Sequence, residues 1–357
     1  MNDFLLYINA KTEDKKKKLL SHEFVYSNRP KYIMGRNEFA LSLAKNIKID
    51  GFIDDFTALD SWEGKPIIPI DEVPKHAIVA IAVVYGRPLT AVRRIEHYNL
   101  DYIDYFSLLK YTDINLLPLQ FIEGFEKDFK IYTIEYQNIY EKLADEESKQ
   151  QFINLINFRL TYDLIYMKDF KNIQEYQYIE PFIILNAGYV FVDIGGYDGT
   201  TTEMLIQKYP NYKSIYFFEP DEANMNKAKN KLDEYKNIFY YLNGLSNKKE
   251  RLYFKSSGSS SKIDIKGDIV INTIILDDCI NEKCTYIKMD VEGWECNVIE
   301  GSKRIIKEYK PQLAICVYHK CDDMWKIPKK ILSIRDDYKI FLRHYTEGIT
   351  ETVMYFI

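Results

Sequence analysis

One stretch constrains the fold more than any other: Tyr189-Val-Phe-Val-Asp-Ile194, followed by Gly195-Gly-Tyr-Asp-Gly199. The near-continuous apolar run predicts a strand buried on both faces, which belongs in a parallel sheet covered by helices. The glycines predict a tight turn, and Thr200-Thr-Thr-Glu203 predicts a helix start. A strand, a glycine turn and a helix N-terminus together form a nucleotide-type site, because glycine lets a ligand approach the backbone closely.

The rest of the chain repeats the strand–helix alternation. At 357 residues it has room for roughly two domains of about 150 each. Residues 1–125 read as a small parallel α/β domain of Rossmann-like type. Its strands are expected at Tyr32–Gly35, Asp50–Asp55 and Ala77–Tyr85, with helices over Glu38–Asn46 and Leu89–Tyr98 and a loop over Trp62–Pro69. Residues 126–180 read as a helical connector, with apolar Ile139, Leu143, Phe152, Leu155 and Ile156 along Glu135–Phe158. Residues 181–357 read as a second α/β domain. Its strands are expected at Tyr189–Ile194, Ser214–Glu219, Ile238–Leu242, Thr285–Met289, Leu313–Tyr318, Tyr338–Arg343 and Glu351–Phe356. The last two are close enough for an antiparallel hairpin, so a mainly parallel sheet with a terminal hairpin is expected. Ser256 to Ser261 reads as a flexible loop.

Composition narrows the class. A net charge of −5 argues against a dedicated nucleic-acid binder, which carries a basic balance. The basic run Lys15 to Lys18 reads as a solvated helix face. Five cysteines without a C-x-x-C pair fit a reducing cytoplasm better than a disulfide framework or zinc site. The N-terminus lacks a signal-peptide layout, and no apolar run approaches the about 20 residues of a membrane span.

A dinucleotide fingerprint starting at Gly195 needs glycines where Tyr197 and Thr200 stand. Asp193 and Asp198 would also repel a pyrophosphate. A zwitterionic ligand with an ammonium group, such as S-adenosylmethionine, fits better. Glu219, in Phe217-Phe-Glu-Pro220, closes the next strand, where a carboxylate can accept ribose hydroxyls.

These pieces resemble the FkbM family of S-adenosylmethionine-dependent methyltransferases. The resemblance rests on Val192-Asp-Ile-Gly-Gly-Tyr-Asp-Gly199, Phe218-Glu-Pro220, Gly244-Leu-Ser246, Ile287-Lys-Met-Asp-Val-Glu-Gly-Trp-Glu295 and Val298-Ile-Glu-Gly301. It covers roughly residues 181–357 and implies a class I methyltransferase fold. It also implies O-methylation of a hydroxyl, with sugars or glycosylated natural products as acceptors. The cofactor residues expected on this basis are Asp193, Gly195, Gly196, Asp198, Gly199, Glu219, Pro220, Ser246 and Asp290. The N-terminal region is similar to Rossmann-like domains beside bacterial sugar-modifying enzymes, through Gly51-Phe-Ile-Asp-Asp55 and Gly64-Lys-Pro-Ile-Ile68. It has a single glycine in Met34-Gly35-Arg36-Asn37, so scaffolding, oligomerisation or sugar-nucleotide docking is expected there rather than NAD binding.

Methyl transfer to a sugar hydroxyl needs alignment and a proton acceptor. Asp290 ends a strand at the ligand-facing edge, Glu292 lies in the next turn, and Gly293 frees that turn. Capping the following helix, or pairing with Lys288, is the structural alternative for both acids. His319 follows the strand Leu313–Tyr318 and is expected as a base near neutral pH. Lys320 and Asp322 are candidates for binding substrate, and Arg343 and His344 for an anionic group or for surface pairing. Asp290, Glu292 and His319 are also a residue set that suits a divalent metal, although no spacing requires one. The alternatives are an NAD-dependent sugar-nucleotide enzyme and a non-catalytic scaffold with a methyltransferase fold.

Overall fold

Every residue of Tyr189–Ile194 is buried in the computed structural model, and this strand forms the centre of a large sheet. The structure describes residues 3–9, 13–255, 262–263 and 269–357, so the serine stretch Ser256 to Ser261 lies outside the described residues. The chain divides into two compact units that are not contiguous in sequence. One comprises Met1–Ile131, Gln150–Gln174 and His344–Glu351, and the other Tyr132–Lys149, Glu175–Arg343 and Thr352–Ile357.

The first unit is built on strands β1 (Lys31–Met34), β2 (Gly51–Ile53), β3 (Ser61–Trp62), β4 (Lys65–Ile68), β5 (Ile78–Ile81) and β6 (Asp101–Asp104). They lie in the order β3-β4-β2-β1-β5-β6, all parallel except β3 against β4. The core under this sheet is Met34, Ile53, Val79, Ile81 and Ile95. The loop expected over Trp62–Pro69 is instead a tight hairpin. Glu63 (φ 49°) and Gly64 (φ 71°) both take the left-handed conformation, which suits a two-residue turn between right-twisted strands. Of the run Lys15 to Lys18, which starts the helix Lys15–Tyr26, Lys17 turns inward to Asp163 at 2.8 Å.

Glu135–Phe158 is not one helix. Helix Phe125–Lys142 stops, Leu143 and Ala144 join the backbone of Ile340, and helix Glu146–Thr161 follows. The apolar residues picked out by periodicity, Ile139, Leu143, Phe152, Leu155 and Ile156, are all buried.

In the second unit the strands are β7 (Tyr189–Ile194), β8 (Tyr212–Phe218), β9 (Ile238–Tyr241), β10 (Gly244–Leu245), β11 (Arg251–Lys255), β12 (Lys262–Ile263), β13 (Ile269–Ile274), β14 (Tyr286–Met289), β15 (Gln312–Cys316), β16 (Ile340–His344) and β17 (Thr352–Phe356). The main sheet runs β16-β17-β15-β14-β7-β8-β9. β15, β14, β7, β8 and β9 are parallel, and β17 is antiparallel to β15. Lys339 and Ile357 exchange two backbone hydrogen bonds of 2.9 Å, which closes the antiparallel terminal hairpin. A second, smaller sheet, β10-β13-β11-β12, was not expected from the sequence.

Candidate active site

β7, β8, β14 and β15 run the same way, so their carboxyl ends share one edge of the sheet. The loops leaving that edge carry Gly195 to Gly199, Glu219, Asp290 to Glu295 and His319.

The glycine turn is seated by backbone packing. Gly195 has φ +74°, and a Cβ there would lie 1.8 Å from the Asp290 carbonyl oxygen. A Cβ on Gly196 would lie 2.2 Å from the Phe217 ring. Both N–H groups donate to the Phe218 carbonyl, at 3.0 and 3.1 Å. Gly199 (φ +83°) is the N-cap of helix Thr200–Lys208. Tyr197, at the position of the missing dinucleotide glycine, has φ +52° and is 55% exposed.

Asp193 lies beneath this turn with no exposed surface. Its carboxylate accepts from the Thr202 hydroxyl at 2.6 Å and pairs with Lys288 Nζ at 3.1 Å. Lys288 also donates to the Gly195 carbonyl and lies 5.5 Å from the centre of the Tyr178 ring. Burial pulls the Lys288 pKa down, but Asp193 and Asp290 together with Cys316 outweigh it and raise it overall. Asp193, expected as a cofactor residue, is thus enclosed between Thr202 and Lys288 at the end of a buried strand.

Two more of the expected cofactor residues are tied to protein partners. Ser246 is fully enclosed; its Oγ accepts from Trp294 Nε1 at 3.2 Å. A Cβ on Gly301 would lie 2.1 Å from the Ser246 carbonyl oxygen, so the stretches Gly244–Ser246 and Val298–Gly301 meet each other. Asp198 accepts from the Thr200 N–H at 3.1 Å and pairs with Lys231 at 2.7 Å. Glu219 is 7% exposed. Its two oxygens accept from the N–H groups of Tyr197 and Asp221, both at 2.9 Å, and Pro220 lies between it and Asp221. Burial pushes its carboxyl up to about 7, against the pull of those donors.

The end of β14 is built differently. Asp290 Oδ2 accepts from the Tyr178 hydroxyl at 3.2 Å, and about a quarter of its side chain is exposed. His319 Nε2 lies 3.4 Å from Asp290 Oδ1 and 3.7 Å from Glu292 Oε2. Its Nδ1 lies 2.8 Å from Glu295 Oε1, which also accepts from the N–H groups of Val291 and Gly293. Burial alone would lower the His319 pKa, but Glu295, Asp290 and Glu292 lift it to about 10. His319, expected as a base near neutral pH, thus stands among three carboxylates that favour its protonated form. Asp323, buried beside it, accepts from the Lys320 N–H at 2.7 Å.

Other candidates lie elsewhere or are engaged. Arg343 is buried and paired with Asp145 at 2.7 Å. His344 is buried against the Phe170 ring, and burial pulls its pKa down to about 3. Lys320 Nζ donates to the Gly293 carbonyl, and Asp322 pairs with Lys326 at 2.6 Å. Tyr178 and Lys288 were not picked out as site residues from sequence. Lys288 had a usable signal: it alternates with Asp290 on one strand face and is in register with Asp193.

A family model described as the methyltransferase FkbM domain matches residues 193–342. The match takes in the glycine turn, Glu219, the β14 end and His319. A methyltransferase FkbM of Methylobacillus flagellatus KT, solved as a crystal structure, is 22% identical. Its TM-score is 0.80, over 99% of this chain and 98% of that one. An rRNA methylase of Streptococcus thermophilus is 17% identical over 48% of this chain and 87% of its own, with a TM-score of 0.34. Fibrillarin of Aeropyrum pernix, solved with natively bound S-adenosyl-L-methionine, is 12% identical over 48% and 67%, with a TM-score of 0.32. No curated protein matches the chain in sequence. The likeness to the FkbM crystal structure shows the class I methyltransferase fold. Among the described residues no helix is long and apolar enough to cross a membrane.

Proposed function

We propose that this chain is an FkbM-type methyltransferase that methylates a hydroxyl oxygen, with a sugar of a glycan or glycoconjugate as the acceptor class. The observation that carries the proposal is the junction of Gly195 and Asp290. Their backbones touch, so the partly exposed Asp290 carboxylate opens beside the glycine turn. S-adenosylmethionine, when bound, supplies an electrophilic methyl group. The fit of the site to such a ligand rests on the tight backbone turn at Gly195, Gly196 and Gly199 and on the Glu219 carboxylate at the end of β8. Tyr197 excludes the close pyrophosphate approach that a dinucleotide needs. In this assignment Asp193, Asp198 and Ser246 support the turn from within the protein. Asp290, held by Tyr178, accepts the acceptor's proton, and Glu292 flanks it on the solvent side. The family resemblance supplies the sugar as acceptor.

Titration calorimetry with S-adenosylhomocysteine tests the donor half; folded protein that gives no heat at millimolar ligand overturns it. Transfer of a tritiated methyl group to glycan extracts tests the acceptor half. Asp290→Asn is expected to lower that transfer by about 10²–10⁴-fold. Transfer to protein or lipid fractions alone would refute the sugar assignment.

A further inference from the structure

We propose that Asp290, Glu292 and His319 hold one divalent cation at the mouth of the site. Their ligand atoms all lie within 4.8 Å of one another. The separations of His319 Nε2 from the two carboxylates, 3.4 and 3.7 Å, are longer than a good N–H···O hydrogen bond. The 3.4 Å separation matches an edge of a coordination polyhedron, and the 3.7 Å one is slightly longer. Atoms about 2.1 Å from a shared cation stand roughly 3.0–3.4 Å apart, depending on whether the geometry is octahedral or tetrahedral. A small movement of Glu292, a third of whose side chain is exposed, closes the set.

The surroundings supply what a metal histidine requires. Glu295 is 1% exposed and fixes the ring from the far side, with Nδ1 at 2.8 Å, so that Nε2 faces Asp290 and Glu292. That carboxylate–histidine arrangement sets the tautomer and the direction of a metal-ligating imidazole. Glu295 is held in turn by the Val291 and Gly293 N–H groups, and Asp290 by the Tyr178 hydroxyl. Three independent elements therefore hold the ligands: the end of β14, the turn after it, and the segment after β15. Charge points the same way. Asp290, Glu292 and the buried Glu295 gather round a single imidazole, and a cation takes the place of the proton on Nε2. Two carboxylates and one imidazole suit a borderline cation such as manganese(II), with the solvent side of Asp290 and Glu292 left for oxygen ligands. The proposal rests on the methyltransferase assignment only in placing an acceptor hydroxyl at those open positions.

The test is manganese(II) titrated into the full chain and followed by electron paramagnetic resonance of the free ion. S-adenosylhomocysteine calorimetry runs on the same samples. One ion per chain is expected, competed by magnesium and zinc. Glu292→Gln is expected to weaken it at least tenfold, and Glu295→Gln by about 10–100-fold. The partly exposed Glu292 variant keeps the test open if Glu295→Gln fails to fold. No manganese bound at about 1 mM overturns the cation site; a normal S-adenosylhomocysteine heat in that sample leaves the donor assignment standing. Manganese bound equally by wild type and Glu292→Gln overturns the location.

Discussion

The two corners of this sheet edge carry equally strong sequence signals and are built in opposite ways. At the glycine turn, the acids that stand out in sequence are already engaged by protein partners. Asp193 is enclosed between Thr202 and Lys288, and Asp198 is paired with Lys231. What remains for a ligand is backbone, set by glycines that have no room for a Cβ. At the end of β14, the carboxylates of Asp290 and Glu292 reach solvent, and buried groups behind them do the holding. A conspicuous acid thus marks a ligand site only when a neighbouring element has not already claimed it. The parallel register decides which case applies: Lys288 stands opposite Asp193, whereas Asp290 lies beyond the last paired residues of β14.

Gly195→Ala tests the junction of the two corners and carries the largest expected effect. The added Cβ would meet the Asp290 carbonyl oxygen at 1.8 Å, and the residue would keep φ +74°. Both penalties require the backbone to move, so a loss of more than about 4 kcal/mol is expected. Chemical denaturation measures it, and S-adenosylhomocysteine binding should disappear with it. A variant of near wild-type stability would mean the corners are not in contact.

The contrast between closed and open acids predicts a difference between two neutralising substitutions. Asp193→Asn leaves the buried Lys288 ammonium uncompensated and should cost about 3–5 kcal/mol. Adding Lys288→Met should recover much of that loss. Glu292→Gln, on a partly exposed carboxylate, should cost less than about 1 kcal/mol. Equal losses from Asp193→Asn and Glu292→Gln in urea denaturation would remove the distinction.

Much of this was legible in the sequence. The strand at Tyr189–Ile194 was found to the residue because all its positions are buried, and the order of strand and helix in the second unit followed from the same pattern. Short, half-exposed pieces were not. β3 and β4 look like loop in sequence because Gly64, Pro66 and Pro69 punctuate them, although Glu63 and Gly64 take the backbone conformation a hairpin needs. At the site, the position of His319 was legible and its charge was not. That charge is set by Glu295 and Asp290, which reach it from other elements. Tyr178 carried no signal at all, since only the folded chain brings it to Asp290.

Glu219 sharpens the comparison through pH. Burial raises its folded pKa to about 7 from an ordinary 4.5. A raised folded pKa contributes stability that is fully present below the unfolded pKa and is lost as pH rises through the folded one. Wild-type protein should therefore lose up to about 3 kcal/mol between pH 4.5 and pH 8 from this group. Glu219→Gln should flatten that part of the profile in urea denaturation at several pH values. An unchanged slope in the variant would mean that the Tyr197 and Asp221 N–H groups, rather than burial, govern the carboxyl.

Asp198→Asn carries the smallest expected effect and probes the glycine turn where a ligand role is easiest to assume. Asp198 and Lys231 are each about 29% exposed on their side chains, so water screens the pair. Double-mutant measurements of such pairs put their value near 0.2–1 kcal/mol. An asparagine oxygen can still accept the Thr200 N–H, which keeps the helix start capped. Stability should thus fall by less than about 1 kcal/mol, and S-adenosylhomocysteine affinity should change by less than about threefold. A tenfold or larger loss of affinity at unchanged stability would place Asp198 on the ligand. The glycine turn would then bind through a side chain as well as backbone, which is the property that here separates it from the β14 end.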